Sequence, residues 1–198
     1  GLILGLAMIQ VMLLAGLAIS REREEGSFDM MLMTPLSPVE IFIGKAAAPI
    51  LIGIFQSFLI FAVCRWWFGI PFAGSLPLLF FVVALFSTSI VGLALAISAW
   101  AKTLQQSVVL SFILLLPSLV LSGLMTPVAV MPEWMQTLTI LNPVRYGILT
   151  IRMIYFENAG MSDILPYLWP LAVITAVTIP GAAWLFRNKV VCSFYDRK

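Results

Sequence analysis

The distribution of charged residues constrains this chain more than any other feature of its sequence. Five long stretches contain no Asp, Glu, Lys or Arg, namely residues 1–20, 46–64, 66–101, 103–132 and 164–186. A transmembrane helix needs about 20 predominantly apolar residues. We therefore predict an all-α integral membrane protein, a single transmembrane domain over residues 1–198. Its five spans are predicted at residues 1–20, 46–64, 76–100, 106–124 and 164–186.

The composition excludes most functions of soluble proteins. Hydrophobic residues make up 62% of the chain and charged residues 10%, whereas about a quarter of a soluble domain is charged. The chain has no histidine, which is the commonest general base and metal ligand. Its two cysteines, Cys64 and Cys192, lack the spacing of a metal site. We predict no catalytic residue and no metal site, and a net charge of +2 gives no basis for nucleic-acid binding.

The basic residues predict the orientation of the spans. Five spans place the connecting segments alternately on two sides, with eight Lys and Arg on one side and three on the other. Because cytoplasmic segments hold the excess of Lys and Arg, we predict that the C-terminus is cytoplasmic. The sequence opens inside an apolar stretch with no initiator methionine, so we expect it to be the C-terminal portion of a longer membrane protein. The basic residues predicted to be cytoplasmic are Arg21, Arg23, Lys45, Lys102, Arg187, Lys189, Arg197 and Lys198.

The connection between the first two spans, residues 21–45, contains eight of the twenty charged residues. Ser27 is a candidate N-cap for a short helix with an apolar face, which Thr34 and Pro35 end. A second helix start follows at residues 37–40, where Ser-Pro-Val-Glu has the form of a capping box with proline in the first helical position. The sequence therefore predicts a cytoplasmic elbow: a short helix, a proline turn and a helix leading into the next span.

Two interpretations of this elbow remain open. It is either an amphipathic connector on the lipid headgroups or a docking surface for a cytoplasmic protein, with ion pairs and a Met/Phe face that inserts in a groove. Acidic residues outnumber basic ones five to three between residues 21 and 45, which disfavours adhesion to anionic lipid and favours a protein partner. The residues predicted to form the docking surface are Arg21, Glu22, Arg23, Glu24, Glu25, Gly26, Ser27, Phe28, Met31, Thr34 and Pro35.

Residues 125–163, before the last span, contain several prolines but are still rich in apolar side chains. Asn142 and Pro143 form a helix start, and an apolar stripe follows. A pair of short helices that dip into the outer leaflet fits this pattern; two interfacial helices with no gating role are the alternative. Arg145 and Arg152 either attract an anionic group or extend to the surface. The candidate outer-gate residues are Pro132, Trp134, Asn142, Pro143, Arg145 and Tyr146.

The interiors of the spans contain small and polar residues but no ionisable ones, which disfavours coupling to an ion gradient. Small residues four apart, such as Gly92 and Ala96, allow close helix contact. Hydroxyl and amide side chains either line a pathway or, as we expect, form hydrogen bonds between helices. These polar residues are Gln56, Ser57, Ser87, Thr88, Ser89, Ser98, Ser111 and Ser118.

Two separated groups of motifs resemble those of type-2 ABC transporter permeases. The first group is Ser-Arg-Glu-Arg-Glu-Glu-Gly-Ser at residues 20–27, Met-Thr-Pro-Leu-Ser-Pro at 33–38, and Gly44-Lys45. The second is Ser122-Gly123, Pro127, Met-Pro-Glu-Trp at 131–134 and Leu-Asn-Pro at 141–143. The resemblance implies a six-span permease of which this chain holds the second to sixth spans, with the first span and an extracytoplasmic domain expected before residue 1. It also implies outer re-entrant helices and a 21–45 loop that contacts an ATP-binding subunit.

The same resemblance implies the function. We expect a permease subunit of an ATP-driven exporter in the bacterial inner membrane, acting with ABC ATP-binding subunits and with a second permease copy or paralogue. There is no G-x-x-x-x-G-K-[ST] motif, which is the loop that holds nucleotide phosphates, so another polypeptide or another part of the chain must hydrolyse ATP. We expect that this chain binds no cofactor directly and that ATP-Mg belongs to a partner subunit. A hydrophobic drug-like or lipid-like substrate suits the apolar spans. The alternative is a membrane scaffold that recruits a cytoplasmic factor without transport; an integral-membrane enzyme is a weaker third candidate.

Overall fold

The computed structural model describes residues 2–26, 37–69, 71–72, 74–124, 128–157 and 160–191, and these residues are helical apart from short connections. A single 3-10 turn, Val128–Val130, precedes α5, and a π-helical segment, Phe186–Val191, continues α7. The α-helices are α1 (Leu2–Glu24), α2 (Pro38–Trp66), α3 (Leu76–Trp100), α4 (Leu104–Leu121), α5 (Glu133–Thr139), α6 (Pro143–Glu157) and α7 (Met161–Leu185).

Five of the helices, α1 to α4 and α7, are long and apolar enough to cross a membrane. This confirms the predicted all-helical architecture with five candidate spans. α1 and α2 extend beyond the predicted apolar stretches, α3 has the predicted bounds, and both ends of α4 and α7 lie one to three residues earlier than predicted. Local caps, rather than the last apolar residue, fix helix ends such as the start of α2 and the end of α4. α2 begins at residue 38, where Ser37 Oγ accepts a hydrogen bond from the Glu40 N–H and the Glu40 carboxylate accepts one from the Ser37 N–H, the predicted capping box. α4 ends at Leu121, close before Gly123, whose φ of 79° is the left-handed conformation that glycine adopts most readily.

The helix α3 lies at the centre of the bundle and contacts α1, α2, α4, α6 and α7. In the most apolar segments of α3 and α1, 61% of the residues are buried. The same share is 22% in α2 and α4 and 17% in α7. The fully buried Phe86, Ile90 and Leu95 of α3 belong to the core. The exposed sides of α2, α4 and α7 are covered with large apolar side chains such as Phe55, Ile113 and Val177, as expected for surfaces in contact with lipid or with another membrane helix.

Consecutive long helices run in opposite directions, so the bundle has two distinct ends. At one, which we call the charged end, α1 finishes at Glu24 and α2 and α4 begin. At the other, which we call the hairpin end, α5 and α6 pack beside the ends of α2 and α4 and the start of α3. The described members of the two sets of predicted site residues therefore lie at opposite ends of the bundle.

Candidate functional site

The charged end contains the end of α1, where the first five residues of the predicted docking surface lie; the fifth, Glu25, directly follows the helix. Arg21 Nε donates a hydrogen bond to Glu25 Oε1 at 2.8 Å, and the two side chains are 68% and 53% exposed. Such an exposed ion pair contributes little to stability, so both groups are accessible to a partner. Gly26 follows with a φ of 72°, the left-handed conformation typical of a residue that ends a helix.

Glu22 is directed into the protein rather than toward solvent. Its carboxylate forms an ion pair with Lys45 Nζ of α2, and the same ammonium group donates to the Ala18 carbonyl at 3.4 Å. The Lys45 side chain is only 10% exposed. The pair therefore joins the end of α1 to the second turn of α2.

Glu24 joins α1 to a third helix. Its Oε2 atom accepts a hydrogen bond from the Leu104 N–H at 2.7 Å, and Leu104 is the first residue of α4. The N-cap Thr103 accepts from the Gln106 N–H at 3.2 Å, so the side chains of Glu24 and Thr103 satisfy two of the amides that a helix start leaves without an intrahelical acceptor. A carboxylate at this position also interacts favourably with the positive end of the helix dipole.

The predicted docking residues therefore divide into two groups. Arg21, Glu24 and Glu25 are all exposed and Glu22 is half-buried. The carboxylates of Glu22 and Glu24 contact other helices of the same chain, whereas Arg21 and Glu25 pair with each other. Sequence reasoning missed the partners Lys45 and Leu104; an excess of acidic residues opposite a lysine on the next helix was the available signal. Arg23 belongs to α1, whereas Ser27, Phe28, Met31, Thr34 and Pro35 lie outside the described residues.

Serine side chains join the same part of α1 to α3 and α4. Ser98 Oγ accepts hydrogen bonds from the N–H groups of Ile19 at 3.0 Å and Ser20 at 3.1 Å. The hydroxyl of Ser107, a residue that sequence reasoning missed, donates to the Gly16 carbonyl. All five of these residues are buried. Together with the contacts of Glu22 and Glu24, these hydrogen bonds join the last two turns of α1 to three neighbouring helices.

The expectation of hydrogen bonds between helices is right for Ser98 and wrong for three other residues. The hydroxyls of Ser57, Thr88 and Ser118 donate to the carbonyl four residues earlier in their own helix, at 2.7–2.8 Å. A hydroxyl side chain in a helix reaches that carbonyl without a partner helix, which explains the difference. Within the described part of the chain, the buried polar atoms Gln56 Oε1, Ser87 Oγ, Ser89 Oγ and Ser111 Oγ have no hydrogen-bond partner.

At the hairpin end, Asn142 positions the start of α6. Its Oδ1 atom accepts from the Val144 N–H at 3.1 Å, and its Nδ2 group donates to the Ser118 carbonyl of α4 at 2.7 Å. Pro143 is the first helical residue, as predicted. The predicted stripe on α6 is buried, with Val144, Ile148, Ile151 and Tyr155 each at most 5% exposed.

The first turns of α6 lie deep in the bundle, and its last turns lie close to the hairpin end. A Cβ atom on Gly147 would lie 2.8 Å from the Phe86 ring and 3.0 Å from Leu4. Phe86 is ten residues into α3, about 15 Å along the helix. At the other end of α6, the Ile154 carbonyl approaches Gly74, two residues before α3 begins. The turn between α5 and α6 therefore lies well inside the span of α3.

The remaining predicted residues of the hairpin end occupy different environments. Arg145 is half-buried and donates to the Thr139 hydroxyl, so it closes the α5–α6 turn in this structure. Tyr146 is half-buried against the core. Pro132 provides the carbonyl that accepts from the Met135 N–H at 2.9 Å, and Trp134 is 65% exposed.

An aromatic cluster that sequence reasoning missed packs around the C-terminal end of α6. The rings of Phe61, Phe72 and Tyr155 contact one another with centroids 5.0–6.3 Å apart and with steep interplanar angles. They come from α2, the α2–α3 connection and α6. Edge-to-face packing at these distances is the favourable arrangement for aromatic pairs. Burial raises the pKa of the Tyr155 hydroxyl above its ordinary value.

The exposed side of α4 holds an apolar cleft of about 450 Å³. It is lined by Val108, Val109, Phe112, Ile113, Leu116 and Pro117.

Comparison with known proteins fits these features. The family model described as ABC-2 type transporter matches residues 1–156 of the chain, which is α1 to nearly the end of α6. The chain belongs to the ABC-2 type transporter family. This confirms the resemblance that the 20–27, 33–38 and 131–143 motifs indicate.

Relatives of this ABC-2 family chain have been described in several bacteria. It is 40% identical over 190 residues to the probable multidrug ABC transporter permease YbhR of Escherichia coli (strain K12), covering 96% of this chain and 52% of the relative. It is 29% identical over 180 residues to the inner membrane transport permease YhhJ of the same strain, covering 89% and 48%. The linearmycin resistance permease protein LnrN of Bacillus subtilis (strain 168) is 26% identical over 180 residues, covering 91% and 46%. The chain therefore spans about half the length of these relatives, and it is a multi-pass membrane protein of a permease family.

Proposed function

We propose that this chain is the membrane portion of a permease subunit of an ATP-driven exporter. ATP-Mg is bound and hydrolysed by a separate ATP-binding subunit that docks on the charged end. The observation that supports this most is a division at the end of α1: the exposed Arg21 and Glu25 pair with each other, while the carboxylates of Glu22 and Glu24 contact α2 and α4. A docking surface held in this way is firmly attached to the spans that it has to move.

The proposed orientation places the charged end in the cytoplasm and the hairpin end outside. Three of the eleven basic residues belong to the hairpin end and its neighbouring connections, and the other eight to the charged end or to the C-terminal segment. Tryptophans favour membrane–water interfaces, and exposed ones occur at both ends, with Trp67 and Trp134 at the hairpin end and Trp100 at the charged end. We place the protein in the bacterial inner membrane with a cytoplasmic C-terminus, and its spans as the second to sixth of six.

In the same proposal, α5 and α6 are re-entrant helices that close the outer end of the transport pathway. The depth of Gly147 beside Phe86 and the burial of the α6 stripe support it. Non-helical backbone at this depth is tolerated where protein surrounds it, and the Asn142 contacts with Val144 and Ser118 satisfy the turn.

The proposed substrate is hydrophobic, drug-like or lipid-like, and the pathway lies between two permease copies or paralogues. The relatives named as multidrug and linearmycin resistance permeases and the apolar cleft on the exposed side of α4 support this substrate class. A wall without charges favours an apolar molecule over a hydrated ion.

The test is transport by the full-length protein together with the ATP-binding subunit that co-purifies with it. In inside-out vesicles, we expect ATP-dependent accumulation of the lipophilic dye ethidium or of a fluorescent phospholipid. Vesicles with the ATP-binding subunit inactivated are the control. A complex that assembles but neither hydrolyses ATP nor moves either probe would favour the scaffold alternative.

A further inference from the structure

Glu24 and Leu104 provide a direct polar link between α1 and α4. The Glu24 carboxylate accepts from the first amide of α4 at 2.7 Å, and the N-terminal end of an 18-residue helix attracts negative charge. Glu24 and the next residue, Glu25, are both exposed, but the Glu25 carboxylate pairs with Arg21 at the end of the same helix. The two adjacent glutamates therefore have different surroundings.

The link to α2 lies half a turn earlier on α1. Lys45 is 10% exposed and pairs with Glu22, and the Ala18 carbonyl accepts a second hydrogen bond from the same ammonium group. Because a buried ammonium without a carboxylate partner is unfavourable, the pair holds the end of α1 and the start of α2 in one relative position.

A third link joins α1 to α3 one turn deeper. Two consecutive amides of α1, those of Ile19 and Ser20, donate to Ser98 Oγ, and the Gly16 carbonyl accepts from Ser107 of α4. Away from water these bonds are not easily exchanged for bonds to solvent. The end of α1 is thus bonded to α2, α3 and α4 within about two turns.

We infer that Glu22 and Glu24 are positioning residues: they form a brace that transmits a displacement of the end of α1 to α2 and α4, and they are not themselves contacted by the docked subunit. This inference rests on the proposed function for the source of the displacement, whereas the brace itself is a property of this chain. It assigns separate tasks to neighbouring residues of one charged cluster: Arg21 and Glu25 bind the partner, and Glu22 and Glu24 pass its motion on.

The test compares Glu24→Ala with the matched control Glu25→Ala by hydrogen exchange of the full-length protein in lipid nanodiscs. In Glu24→Ala the amides of residues 104–107 are expected to exchange about tenfold faster, since a charge-assisted hydrogen bond is lost. Glu25→Ala is expected to leave them unchanged. Glu24→Gln keeps an acceptor oxygen and is expected to retain part of the protection. Equal exchange in Glu24→Ala and Glu25→Ala would overturn the brace.

Transmission is tested on the complex with the ATP-binding subunit. In the unmutated complex, trapping with ATP and vanadate is expected to change exchange at residues 104–107. In Glu24→Ala the complex is expected to assemble as before while this nucleotide response at α4 is lost. An unchanged response in Glu24→Ala, or a loss of assembly as large as that caused by variants of Arg21, would overturn the inference. If no ATP-binding subunit binds the full-length protein, the proposed function fails, and the exchange of the isolated protein still decides whether the brace exists.

Discussion

Asn142 Nδ2 donates a hydrogen bond to the Ser118 carbonyl at 2.7 Å and so joins the start of α6 to the last turn of α4. Ser118 is among the last four residues of α4, where helix carbonyls lack an intrahelical donor. The same side chain caps α6 through its Oδ1 atom. One buried amide therefore satisfies backbone groups of two helices.

Replacing Asn142 separates these two contacts. Asn142→Ala is expected to lower the melting temperature of the purified full-length protein, because loss of a cap costs about 1 kcal/mol and the Ser118 carbonyl loses its donor. Asn142→Asp keeps the acceptor for the Val144 N–H but not the donor, so it is expected to fall between Asn142→Ala and the unmutated protein. Equal melting temperatures for all three proteins would contradict the structural role of Asn142.

The crossing of α3 and α7 depends on Gly92. A Cβ atom there would lie 2.8 Å from Thr178 Oγ1 and 3.1 Å from the Thr178 backbone carbonyl carbon. Because a backbone atom cannot move without shifting the helix, this contact would be strained. We expect Gly92→Ala to destabilise the protein by about 1–3 kcal/mol, the usual effect of overpacking. Gly181→Ala, one turn from Thr178 and with nothing within 4 Å of its Cβ position, is the control and is expected to be neutral. Thermal unfolding in detergent measures both, and a neutral Gly92→Ala would refute the close crossing.

The ion pair between Glu22 and Lys45 predicts that a charge-swapped double variant is more stable than the single variant Glu22→Lys. Glu22→Lys places two like charges together and leaves the buried Lys45 ammonium without its carboxylate, so it is expected to destabilise the protein by about 2 kcal/mol or more. The double variant Glu22→Lys, Lys45→Glu restores opposite charges and is expected to recover part of the loss. A double variant no more stable than Glu22→Lys would show that the pair contributes nothing specific.

The main architecture could be predicted from the sequence because charge placement identifies membrane spans without any knowledge of packing. The capping residues Ser37 and Asn142 were likewise visible, since caps depend on neighbours in sequence. The roles of Glu22 and Glu24 were not predicted. Both residues belong to a continuous charged cluster, and which members of the cluster contact α2 and α4 depends on the direction in which α1 meets these helices.

The contacts of individual glycines and serines likewise depend on how the helices pack and could not be predicted from the sequence. Gly92 was recognised from its spacing with Ala96, but Gly147 has no small residue four positions away. Only the crossing of α3 and α6 places the Phe86 ring 2.8 Å from the Cβ position of Gly147. For the span serines, the sequence gives no means of telling a hydroxyl that bonds its own helix, such as Ser57, from one that bonds a neighbour, such as Ser98.

The proposed orientation predicts different accessibility for the two ends. In intact cells with Cys64 and Cys192 replaced by serine, Trp67→Cys at the hairpin end is expected to react with a membrane-impermeant maleimide. Gln105→Cys at the charged end is expected to react only after the cells are opened. Both positions are exposed, so burial does not explain a difference. Labelling of Gln105→Cys in intact cells would reverse the orientation.

The most direct test of the account is ATP hydrolysis by the co-purified complex in proteoliposomes, measured with the double variant Arg21→Glu, Glu25→Arg. This exchange preserves an ion pair within the last turn of α1 and reverses the exposed charges, so it separates docking from helix stability. We predict that the unmutated full-length protein binds an ATP-binding subunit and that the double variant loses most of the bound subunit and the associated hydrolysis. Undiminished binding and hydrolysis in the double variant would contradict the assignment of the charged end as the docking site.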